Sequence, residues 1–151
     1  MAAIDSHAEP FLICLGAGHR CALPLDQVRE IMRPLPLERA AESGAAAPFV
    51  LGASIVRGMV VPVVSLAGLL GQQGATPYGR YVSLRLGTRH AILAVEDVLG
   101  IHEIPAAEAM APLLGAVEHD AVSAVTIHDE ALLFVLQAAK LVPDTAWGIA
   151  A

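Results

Sequence analysis

Ala22-Leu23-Pro24-Leu25-Asp26-Gln27-Val28-Arg29-Glu30-Ile31 returns seventy residues later as Ile92-Leu93-Ala94-Val95-Glu96-Asp97-Val98-Leu99-Gly100-Ile101. Both copies read apolar pair, small residue, apolar, acid, polar, Val, two residues, Ile. Just upstream, Leu15-Gly16 matches Leu86-Gly87, each ending an apolar run at a turn. Further on, Val60-Val61-Pro62-Val63-Val64-Ser65-Leu66-Ala67 aligns with Leu132-Leu133-Phe134-Val135-Leu136-Gln137-Ala138-Ala139 at an offset of seventy-two. Between them, Pro48-Phe49-Val50-Leu51-Gly52-Ala53 resembles Pro112-Leu113-Leu114-Gly115-Ala116. Four matches in one order make this an internal repeat. The chain therefore divides into homologous halves, 11–71 and 80–142. They are joined by the Gly/Pro-bearing Gln72–Gly79, and a tail, 143–151, follows.

Strand signals dominate both halves. Phe11–Leu15 and Tyr81–Leu86 are short apolar or alternating runs ended by glycine. In the second, Val82, Leu84 and Leu86 are expected to face a core while Ser83 and Arg85 face out. Val60–Val64 and Leu132–Leu136 are continuously apolar, as strands covered on both faces are. Helix signals are short: Asp26 is placed to cap a turn carrying Val28, and Ser65 to cap Leu66–Leu70, which Gly71 ends. Halves this small, each with about five short strands, point to an all-β fold of two five-stranded closed barrels with a few short helices. If Ala17-Gly18 forms a hairpin turn, Cys14 and Cys21 face each other across the ladder as packed free thiols.

Composition narrows the function. Of 151 residues 56% are hydrophobic, which excludes general disorder. Nine Lys plus Arg against fifteen Asp plus Glu give −6, the wrong sign for a nucleic-acid surface. The single lysine, Lys140, follows no glycine loop, so no phosphate-binding P-loop is present. From Gly44 to Gly71 only Arg57 is charged, but Pro48, Gly52, Gly58, Pro62 and Gly68 interrupt the run. The segment therefore reads as buried strands and not as a membrane insertion. Met1–Pro10 lacks a signal peptide's basic and apolar regions, so a cytoplasmic location is expected.

A search for chemistry finds no catalytic centre, no metal-ligand spacing and no cofactor motif. The six histidines never stand four apart as a pair, and neither cysteine belongs to a CxxC. Gly52-Ala53-Ser54 half-matches a nucleophile elbow without its helix, which leaves a small hydrolase using Ser54 or Cys21 as the rival class. Arg57-Gly58 stands out instead: one cation at a glycine-bearing turn inside a long apolar region. It serves either as an ordinary turn or as an arginine presented to a partner.

The residues around that turn carry a resemblance. Gly52-Ala53-Ser54-Ile55-Val56-Arg57-Gly58-Met59-Val60-Val61-Pro62-Val63-Val64-Ser65-Leu66 resembles the G-V-x-N-L-R-G-x-x-(I/V)-P-V-(I/V)-D-L signature of CheW-like coupling proteins. Leu23–Ile31 is similar to that family's I-P-I-x-x-V-x-E-I element, and Ala94–Val98 to its second-half G-x-x-V-D-x-V element. The resemblance spans about residues 10–142. It implies a single CheW-like domain over 1–151, built as two five-stranded SH3-like barrels on a shared core, without enzymatic activity or cofactor. It further implies an adaptor between the cytoplasmic tips of methyl-accepting chemoreceptors and the regulatory domain of a CheA-type histidine kinase. Carried over by position, Val28, Glu30, Gly52, Arg57 and Gly58 would lie at the partner surface of the first barrel. Val98 would lie at the related surface of the second, and Ile31 is a further apolar side chain for presentation. The signature Asn is Ile55 here, its Asp is Ser65, and the matching second-half acid is Gln137. These departures bear on the pathway, which a pilus-motility or biofilm system would also satisfy.

Overall fold

The computed structural model describes residues 8–39, 49–71, 78–105, 121–137 and 140–147. The loop 40–48, most of the linker and the repeat copy at 112–116 lie outside the described residues. The strands run β1 (Ala8–Gly16), β2 (His19–Pro24), β3 (Val28–Met32), β4 (Glu38–Arg39), β5 (Val50–Val56) and β6 (Met59–Ser65). Helix α1 (Leu66–Leu69) ends the first half. Then follow β7 (Arg80–Leu86), β8 (Arg89–Val95), β9 (Asp97–Pro105), β10 (Val122–His128), β11 (Ala131–Leu136) and helix α2 (Asp144–Trp147).

The repeat is real, but the two sheets do not follow the two halves. One sheet has the order β10-β11-β2-β1-β9 and the other β3-β7-β8-β6-β5-β4. The first hairpin of each half is thus built into strands of the other half. Strand β2 meets β11 in parallel, with Ala22 opposite Val135, and β8 meets β6 in parallel, with Ile92 opposite Val63. Ala22 and Ile92 are repeat equivalents, as are Val63 and Val135, so one contact is made twice about an approximate two-fold. Bulges repeat as well. Arg29 and Leu99 are the unmatched residues of β3 and β9, and Leu51 and Ser123 those of β5 and β10. The all-β expectation holds, with two corrections: one sheet carries a sixth, two-residue strand, and neither sheet closes on itself.

Packing explains why exchange is tolerated. Both sheets contribute to one shared core, with Leu12, Cys14, Cys21 and Leu23 from the first and Val64, Val82, Leu84 and Leu93 from the second. Each sheet then curls over a smaller core of its own. Ile13, Ala22 and Leu133 form one, and Val61, Val63, Tyr81 and Ile92 the other, the latter with Leu35 and Leu37 packed on it. Ser83, expected outside, is buried at 3% exposure because that second core covers the outer face of β7. Full burial of each Leu or Val contributes about 1.5–3 kcal/mol.

The short helices follow their caps. Ser65 Oγ accepts from the Gly68 amide at 2.9 Å and from the Tyr78 hydroxyl at 2.8 Å, starting α1 as its side chain predicts. The Asp26 expectation fails: the 3-10 turn Leu25–Gln27 has no side-chain cap, and Val28 already belongs to β3. The tail docks, since Val142 and Ala146 are buried and the Arg89 guanidinium lies 5.0 Å from the Trp147 ring centre.

Cys14 and Cys21 stand directly opposite each other, free and buried. Burial pushes the Cys14 thiol from 9.0 up to about 12, and burial with the Cys14 neighbour pushes Cys21 higher still. Both thiols therefore ionise in the unfolded chain before the folded one. Their contribution is intact below pH 9.0 and declines as pH rises towards 12. By pH ~10.5 the loss is about 2 kcal/mol per thiol. A urea-denaturation series against pH is expected to show this fall, flattened in Cys14→Ala/Cys21→Ala; an unchanged slope in the double variant would refute it.

Candidate functional site

The hairpin β5–β6 turns on Arg57 and Gly58, with φ of 49° and 79°. Two successive positive φ values are what a two-residue turn needs to match the right-handed twist of its strands. Glycine accepts this freely. Arg57 does so at a cost of about 1–2 kcal/mol, so its side chain is held out on a short, rigid tip. Glu30 Oε2, from β3, lies 2.5 Å from Arg57 Nη1. The two side chains are 57% and 33% exposed, and a pair in that setting adds at most about 1 kcal/mol of stability. Its effect is positional: it ties β3 to the turn and fixes the guanidinium's direction.

The strands that carry the pair also expose apolar side chains. Ile55 (66% exposed) and Val60 (46%) are cross-strand neighbours, Met59 stands beside the turn, and Ile31 (44%) follows Glu30 on β3. Exposed apolar side chains on strands that also hold a directed arginine have the character of protein-binding surfaces, where arginine anchors are enriched.

The sequence-predicted residues separate under the structure. Glu30 and Arg57 are joined by their ion pair, Gly58 shares the turn, and Ile31 is exposed on β3 on the face opposite to Glu30. Val28 is half-buried, packed on the shared core at the start of β3. Gly52 is buried in β5 with φ of 145°, beside the Leu51 bulge, a backbone position rather than a contact. Val98 is half-buried in β9, on the other sheet, opposite Cys14.

The repeat produces a second such surface that sequence reasoning missed. Ile127 (62% exposed) and Leu132 (52%) are paired on β10–β11, and Leu99 (45%) and Ile101 (57%) lie on β9. Its turn is Asp129-Glu130, both with positive φ, so the position of Arg57 is taken by an acid and that of Glu30 by Gly100. His102 and His128 are in edge contact there, ring centres 4.9 Å apart. The offsets of seventy and seventy-two, applied to Ile31, Ile55 and Val60, were the available signal.

Neither proposed nucleophile is competent. Ser54 is 2% exposed and donates its hydroxyl to the Pro36 carbonyl at 2.8 Å. Cys21 is inaccessible, and its thiol is held protonated by burial. Among the described residues no three of His, Cys, Asp and Glu converge as metal ligands, and no helix is long and apolar enough to cross a membrane.

Comparison with known proteins adds to this geometry. The sequence model of the family described as CheW-like domain matches residues 10–146. Among solved structures, scaffolding protein TtCheW from Thermoanaerobacter tengcongensis superposes with a TM-score of 0.74 at 17% identity, covering 86% of this chain and 89% of that one. No curated protein matches.

Proposed function

Because the chain belongs to the CheW-like family, whose members are non-catalytic chemotaxis scaffolds, we propose that it joins chemoreceptors to a CheA-type histidine kinase. The kinase contact would be its regulatory domain, and the receptor contact the cytoplasmic tip, which puts the protein in the cytoplasm. The observation that carries this reading is the Arg57 tip, held by Glu30 on strands that also expose Ile31, Ile55, Met59 and Val60. A rigid two-sheet body presents such side chains at low entropic cost, so affinity is not spent on ordering loops. The charge-inverted surface of Ile127, Leu132 and Asp129 gives the same body a second face, as a bridge between two partners needs.

Ile55 favours a particular version of this role. The family signature carries a polar Asn at that place, and here an Ile stands 66% exposed. A partner with an apolar counterpart follows, consistent with a pilus-motility or biofilm pathway in place of the flagellar one. The test is capture of this protein by the regulatory domain of each histidine autokinase of its host, with and without a receptor cytoplasmic fragment. One kinase is expected to bind, and more tightly with receptor present. Binding to none of them would overturn the coupling role.

A further inference from the structure

A second, chemically different site lies one residue from Glu30. Arg29, Arg85 and His90 line a single open pocket of about 470 Å³, together with Asp26, Val28 and Thr88. Three strands assemble it. Arg85 and His90 are cross-strand neighbours near the β7–β8 turn. Arg29 is the unmatched bulge residue of β3, next to Val28, which pairs with Leu84. A bulge re-aims its extra side chain, and here it points Arg29 at that hairpin. The Arg29 guanidinium lies 3.5 Å from His90 Nδ1.

The charges do not balance. Two guanidiniums face one carboxylate, Asp26, in a chain whose net charge is −6. Among the described residues the arginine–carboxylate pair is Arg57–Glu30, and neither Arg29 nor Arg85 has an acidic partner there. The repeat supplies an internal control. At the equivalent positions of the other half stand Leu99 for Arg29, Leu15 for Arg85 and Arg20 for His90. The fold therefore does not require this cationic cluster. Two exposed guanidiniums at the mouth of one pocket, against a single carboxylate, leave a local positive charge that an anion can complete.

We infer that the Arg29–Arg85–His90 pocket receives an acidic side chain of a protein partner, a Glu or Asp flanked by an apolar residue. Forked guanidinium donors match a carboxylate in two parallel hydrogen bonds. The pocket is open, and Val28 forms an apolar wall that a free inorganic anion would not use. Through Arg29 and Glu30 it is continuous with the Arg57 surface, and so extends one docking face. The partner's identity rests on the coupling role proposed above; the pocket's chemistry does not.

The test is a backbone-amide NMR titration of the full chain with acetyl-Leu-Glu-Glu-amide, acetyl-Leu-Gln-Gln-amide and inorganic phosphate. The Glu peptide is expected to shift Arg29, Arg85, Thr88 and His90 saturably, at least about tenfold more tightly than the Gln peptide. Arg85→Glu should abolish those shifts while its melting temperature stays at the wild-type value, and Arg85→Lys should retain part of them. Equal response to both peptides, or none in the pocket, would overturn the inference. Phosphate binding more tightly than the Glu peptide would overturn it in favour of a small-anion site. In the kinase and receptor capture, Arg85→Glu is expected to weaken binding about tenfold, the worth of one charge-assisted pair. Failure of wild-type capture counts against coupling alone, and the titration then still decides the pocket.

Discussion

An Arg57→Glu variant is expected to bind the kinase regulatory domain about 100-fold more weakly than wild type, with its fold intact. The binding loss follows from the tip's construction. The guanidinium stands at a strained turn, is paired with Glu30 and sits on a hairpin whose strands expose Ile55, Met59 and Val60. Arginines placed this way lose roughly 2 kcal/mol or more of binding energy on removal, and reversal adds repulsion to any acid across the interface. Stability moves by less than about 1 kcal/mol, because the Glu30 pair is partly exposed and screened. The Glu30→Arg/Arg57→Glu double variant keeps an ion pair with its sign reversed, and is expected to stay weak. Titration calorimetry with the kinase regulatory domain separates the cases. Wild-type affinity in the single variant would show that Arg57 is an ordinary turn residue.

Splitting the chain within the linker, into 1–76 and 77–151, is expected to leave each fragment without a cooperative thermal transition. Each fragment keeps its hairpins, but a lone two-stranded hairpin is marginal in water. What it loses is the β1–β9, β2–β11, β3–β7 and β6–β8 ladders and half of the shared core. Removing about four buried Leu or Val partners, at roughly 2–5 kcal/mol each, costs as much as a domain's whole stability of roughly 5–15 kcal/mol. Mixing the fragments should restore the melt and the near-native circular dichroism. A cooperative melt from either fragment as a monomer would overturn this.

Much of this architecture was legible before any coordinates. The repeat was legible from its constant offset, and the hairpin at Ala17-Gly18, the Cys14–Cys21 pairing and the Ser65 cap follow from residue type, because each is decided within a few residues. The exchange of hairpins between halves was not legible. A repeat says that Ala22 and Ile92 occupy equivalent places, and also that Val63 and Val135 do. It is silent on whether Ala22 pairs with Val63 of its own half or with Val135 of the other, since both satisfy the same pattern. The site divided likewise. Arg57 was conspicuous by isolation, whereas its tie to Glu30 depends on how β3 meets a distant turn. The Arg29, Arg85 and His90 cluster joins three strands whose spacing carries no common motif.

The crossed hairpins also set an order of events during synthesis. Arg20–Ala22 of β2 are synthesised well before Leu133–Val135, which complete that ladder. Until then the strand offers an apolar, unpaired edge to whatever passes, the situation most open to mispairing between nascent chains. Translation speed and chaperone access between β2 and β11 thus bear on the yield of this protein, however stable the finished molecule is.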